Sequence, residues 1–179
     1  MSQTREMLRD GIADAKNDKS IVKPYMMSHG TMECFSLKES RKFYEEFLGL
    51  ECVKHAPPAM GVRCGLKFHI IAVEVGKAVH PCNVLNHWGI DVTSKEAVDQ
   101  AHADALVHKD KYKIRQVLPA QDQHGIYSFY LEDLDHNWWE IQYYPGVQHE
   151  DMFDFGDRFS MDDDTPVPEL EEIKARLST

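Results

Sequence analysis

An internal repeat narrows what this chain can become more than any other feature. Ser28-His29-Gly30-Thr31-Met32-Glu33-Cys34-Phe35 matches Asn86-His87-Trp88-Gly89-Ile90-Asp91-Val92-Thr93. Each copy runs from a polar residue to His and then to an acidic residue four positions on. Each is followed by a helix-start signal, a hydroxyl residue three places before a glutamate: Ser36 to Glu39, and Thr93 to Glu96. The repeated unit is a supersecondary module, and two copies can curve around a shared cavity.

The first predicted helix places Leu37, Tyr44, Phe47 and Leu48 on one side and stops at Gly49. The second, from about Lys95 to Val107, carries Val98, Ala101, Ala105 and Leu106. Three strand-like segments follow each helix. In the first copy they are Leu50 to Lys54, Met60 to Gly65 and Leu66 to Val75; in the second, Tyr112 to Leu118, Gly125 to Glu132 and Trp138 to Tyr144. One helix per three closely spaced strands points to mostly antiparallel pairing rather than a doubly wound parallel sheet. The expected class is α+β, with two βαβββ modules (residues 24–76 and 82–146) forming one curved mixed sheet around a metal cavity. Residues 1–23 and the acidic stretch 147–179 are expected as extensions, with short helices at Glu6 to Ala15 and Glu169 to Leu177.

Composition removes several function classes. The formal net charge of -10 disfavours nucleic acid and anionic membrane as partners. No apolar run reaches transmembrane length, and the charged N-terminus lacks the apolar centre of a signal peptide. Cys34, Cys52, Cys64 and Cys82 form no C-x-x-C pair, so a thiolate zinc site is not expected. They read as small buried residues of a reducing compartment, and the expected location is cytoplasmic.

Of the ten histidines, His29 and His87 stand out because they hold the same place in both copies. Alternation puts His29, Thr31 and Glu33 on one strand face, and His87, Gly89 and Asp91 on another. Glu140 sits between Trp139 and Ile141, where a carboxylate must be protonated, ion-paired or metal-bound. Two imidazoles and one carboxylate with open positions form the facial triad of non-haem iron(II) oxygenases. The turn Asp133 to Asn137 is symmetric about Asp135, which sets Tyr130 opposite Glu140. His124, six residues earlier, shares that facing if no bulge intervenes. His69, on the last strand of the first module, aligns with Glu140 through Phe68-His69-Ile70 and Trp139-Glu140-Ile141. It is expected to face the cavity as a fourth ligand, an acid/base or a core residue.

From about Lys23 to Pro145 the pattern resembles the vicinal oxygen chelate superfamily. The points of likeness are paired modules, a His on each first strand, a Glu on the last, and Asp133-Leu134-Asp135-His136-Asn137 in place of the usual D-P-D-G-N turn. Ser128-Phe129-Tyr130, with Glu140 ten residues after the tyrosine, is similar to the single-domain type I extradiol dioxygenases. That resemblance implies Fe(II), or alternatively Mn(II), held by His29, His87 and Glu140. It also implies His69, His124 and Tyr130 as catalytic groups, a catechol-like substrate with O2, and a homo-oligomer. A glyoxalase-like isomerase or lyase, or a metal-free drug-sequestering module, is the alternative. In the isomerases the ligands run His, Glu, His, Glu, and His69 is aligned with the position of the missing carboxylate.

Overall fold

In a computed structural model the described residues are 19, 21–22, 27–65, 68–123, 125–145, 159–163 and 165. His124 and the helices expected at Glu6 to Ala15 and Glu169 to Leu177 lie outside them. The first module runs β1 (His29–Cys34), α1 (Leu37–Lys42), β2 (Glu51–Ala56), β3 (Ala59–Arg63) and β4 (His69–Glu74). The second runs β5 (His87–Asp91), α2 (Lys95–Val107), a single-turn α3 (Lys109–Tyr112), β6 (Gln116–Val117), β7 (Gln121–Gln123), β8 (Ile126–Glu132) and β9 (Trp138–Tyr143). The α+β class and the βαβββ order are therefore those of the repeat, with the short helix α3 and edge strand β7 added in the second module, and the hydrogen-bonded sheets are two, one per module, rather than one. The orders are β1-β4-β3-β2 and β5-β9-β8-β6, with β7 on the edge of β8.

In both sheets the first strand pairs in parallel with the last, and the remaining pairs are antiparallel. The parallel pairing brings His29 beside His69 in the first module and Gly89 beside Glu140 in the second. Alternation then separates the faces. Met32, Cys34, Ile70 and Ala72 point into the core, which leaves His29, Thr31, Glu33, His69 and Ile71 on the opposite face. In the second module Phe129, Leu131, Trp139 and Ile141 enter the core, opposite Tyr130 and Glu140.

Helix ends follow local chemistry. Ser94 begins α2 by accepting from the Ala97 amide at 3.2 Å, one residue later than the sequence signal at Thr93. At α1 the hydroxyl of Ser36 caps nothing; the Phe35 amide donates to Asp135 (2.7 Å) and the Leu37 amide to Glu74 (2.8 Å). Carboxylates brought by tertiary structure thus replace the local cap. Past Lys42 the helix widens into a π turn, Phe43–Phe47, and the chain leaves at Gly49, whose φ of +70° favours a residue without Cβ. The predicted strand from Tyr112 is corrected: Tyr112 ends α3, which closes at Lys113 in the left-handed region, and only Gln116–Val117 is strand.

The modules share one core. Tyr44 packs on Trp139 with ring centroids 5.6 Å apart, and Trp88 lies over Gly30. Cys34 and Cys52 are buried as expected, whereas Cys64 and Cys82 are exposed. No helix among the described residues is long and apolar enough to cross a membrane.

Candidate metal centre

The β8–β9 hairpin and the start of β5 build the centre of the site. Tyr130 is registered directly against Glu140, and Glu140 against Gly89. This places the carboxylate next to His87, with Nε2 3.1 Å from Glu140 Oε2. Glu140 is 8% exposed. The other imidazole nitrogen, Nδ1, donates to the Val84 carbonyl at 2.7 Å. A carbonyl only accepts, so Nδ1 carries the hydrogen and, in the neutral ring, Nε2 presents a lone pair. A lone pair and a carboxylate oxygen facing one another at this distance require a shared hydrogen or a cation bound by both.

Tyr130 completes this cluster. Its ring meets His87 edge-on at 5.0 Å. Burial, and then its hydrogen bond to Glu140, push the phenol up to about 12, so it remains a donor across the physiological range. Ser128, two residues earlier on the same face and 1% exposed, hydrogen-bonds the phenol. The sequence carried Ser128 only as part of a motif. Its shared facing with Tyr130 was the available sign of a supporting role. The Val84 carbonyl, being backbone, had no sequence signal.

The first module contributes a second pair. His29 and His69 stack with centroids 5.7 Å apart and planes at 23°. The Ser28 hydroxyl sits 2.8 Å from His29 Nδ1. Among the described residues no three His, Cys, Asp or Glu side chains converge closely enough to hold a metal ion. The structure thus brings His87, Glu140 and Tyr130 together, and His29 with His69, as two separate half-sites. His87 also lines a cleft of about 890 Å³ with Thr31, Glu33, His80, Cys82 and Asn86.

Strand register corrects the alignment of His69 with Glu140. His29 pairs with His69 and His87 with Trp138, so Trp138 is the repeat equivalent of His69. Glu140 pairs with Gly89, and its equivalent, paired with Thr31, is Ile71. The place of a fourth carboxylate is therefore filled by an apolar side chain.

No family model and no curated protein matches the sequence. Solved structures do match. A protein from Bacillus cereus described as a possible glyoxalase superposes with a TM-score of 0.52 at 22% identity, covering 66% of this chain and 98% of its own. A glyoxalase/bleomycin resistance protein/dioxygenase from Nocardioides gives 0.52 at 15% identity, covering 72% and 92%. A fosfomycin resistance protein from Listeria monocytogenes gives 0.52 at 19% identity, covering 73% and 98%. At these identities the likeness is one of fold.

Proposed function

The chain has the vicinal oxygen chelate fold, and from that premise we propose a metal-dependent enzyme: an Fe(II) extradiol dioxygenase that opens the ring of a catechol-type substrate with O2. The observation that carries the reading is the His87–Glu140 pair, in which the half-buried imidazole and the buried carboxylate turn a nitrogen and an oxygen on the same point. Its donor set, imidazole nitrogen and carboxylate oxygen, suits Fe(II) or Mn(II). His29 is the third ligand in this reading. Because it stands apart from the pair within the chain, it is supplied by a second copy, making the enzyme a homo-oligomer. Ile71 at the fourth position favours three protein ligands with adjacent open sites over the four-ligand isomerase arrangement.

Bound there, the cation would supply Lewis acidity toward a catechol and a redox centre for dioxygen. The protein groups do the rest. Tyr130 is held neutral, and its one hydrogen turns from Glu140 to a substrate oxygen once the carboxylate is engaged by the cation. His69, stacked on His29, is placed to accept and return a proton as the ring opens. The test is anaerobic reconstitution with Fe(II), followed by a catechol series read by oxygen uptake and visible absorbance. Uptake with at least one catechol, abolished in Glu140→Ala, is the expected outcome. Absence of uptake with every catechol, together with isomerisation of a hemithioacetal, would replace the oxygenase by a glyoxalase-type enzyme.

A further inference from the structure

The β8–β9 turn contains two carboxylic acids with no exposed surface to speak of: Asp133 is 0% and Asp135 1% exposed. Asp133 receives only N–H donors, from Asp135 (2.8 Å), Asn137 (2.9 Å) and the Trp139 indole (2.9 Å). Such a set suits an ionised, acceptor-only carboxylate. Asp135 reaches into the first module instead. Its Oδ1 accepts from the Phe35 amide at 2.7 Å, and its Oδ2 lies 2.5 Å from Ser40 Oγ, with the Tyr44 hydroxyl at 3.5 Å.

Ser40 makes this contact informative. Its Oγ is also 2.8 Å from the Ser36 carbonyl. One hydroxyl hydrogen serves one of these two oxygens, and Ser36 can only accept. Both short contacts are hydrogen bonds at once if Asp135 carries a hydrogen on Oδ2. Among the described residues around the pair, one group at most can offer a positive charge. The titratable groups facing the pair are Cys34 on β1, Tyr44 in the π turn, Glu74 at the end of β4, Cys82 in the inter-module loop and His136 in the turn itself. Only His136 can be positive, and its Nδ1 is 2.6 Å from Glu132.

We propose that Asp133 and Asp135 hold a single proton between them, seated on Asp135 Oδ2 and donated to Ser40 Oγ, and that this proton clasps the β8–β9 turn to the first module. Two adjacent buried charges without a counter-ion would be costly, so losing the proton loosens the clasp. Burial raises both acids, Asp133 to about 7, and the charge of Asp135 adds to the rise at Asp133. The sign follows. A carboxyl raised in the folded state contributes stability that is present below its unfolded value and lost as pH climbs through the folded one. Glu33, Glu39, Glu51, Glu96 and Asp163 are held low, so their contributions are lost only in more acidic solution and do not mask this window.

Carboxyl 13C NMR of the full chain tests the clasp directly. One aspartate should still titrate in the neutral range, and that titration should vanish in Asp135→Asn. Ionisation of every aspartate below about pH 5, near ordinary values, would overturn the proposal. Denaturant unfolding gives an independent reading. Between about pH 5 and 7.5 the wild-type unfolding constant should rise about tenfold or more. Asp135→Asn keeps an acceptor for Phe35 and a donor for Ser40, and should flatten that rise. A folded variant with an unchanged slope also overturns it, and if the variant does not fold the wild-type spectrum decides alone.

Discussion

At His87 the chemistry turns on which ring nitrogen holds the hydrogen. The Val84 carbonyl settles that for Nδ1 and leaves Nε2 for Glu140. Tyr130 acts one step out, through the carboxylate and toward substrate. Tyr130→Phe should therefore keep its metal content, measured after gel filtration, while kcat on a catechol falls about a hundredfold or more. The Tyr130–Glu140 pairing was legible from sequence because a short symmetric turn fixes hairpin register. How His29 sits relative to that pair was not legible by the same means, since strand alternation gives a facing but not the orientation of one module against another. Asp133 and Asp135 escaped for a related reason. Acidic turn residues read as solvent-exposed, and only tertiary structure buries them.

Among the elements, β1 and β5 meet where Gly30 leaves room for the Trp88 indole. A Cβ on Gly30 would stand 2.4 Å from Trp88 Cη2. The indole packs against Phe68, 6.2 Å away between centroids, and must shift to admit the methyl. Gly30→Ala should cost roughly 1–3 kcal/mol, the range for overpacking, read as a lower denaturation midpoint with an unchanged slope. Helix α2 matched its predicted bounds because a hydroxyl caps its start and Val98 and Ala105 anchor it in the core, although Leu106, expected on the same side, is exposed. The polar strand β7, Gln121–Gln123, has no apolar alternation to betray it and is held only at the edge of β8. In the first module the last strand begins at His69 rather than Leu66, and its register makes Ile71, not His69, the repeat equivalent of Glu140.

At the scale of the whole molecule, two groups of candidate side chains stand apart. One sheet offers His29 and His69, the other His87, Glu140 and Tyr130, and each set lacks what the other has. If complete centres form between copies, a mixture of His29→Ala and Glu140→Ala subunits should recover up to about a quarter of wild-type activity, because some assemblies then contain one intact centre, as in other interfaces related by twofold symmetry. Either variant alone should stay inactive. No recovery after prolonged mixing and refolding would place the centre within a single chain. The repeat made two equivalent modules readable at first sight, but nothing in it says whether their open faces are satisfied at home or by a neighbour.

The stretch joining the modules is more than a tether. Asn83 turns it by accepting from Leu85 and Asn86, and Val84 within that turn is the residue whose carbonyl fixes the His87 ring. An insertion or a circular permutation opened at this bend would thus do more than slacken the spacing between two halves. It would free an imidazole to rotate, and the nitrogen that faces Glu140 would lose its fixed direction.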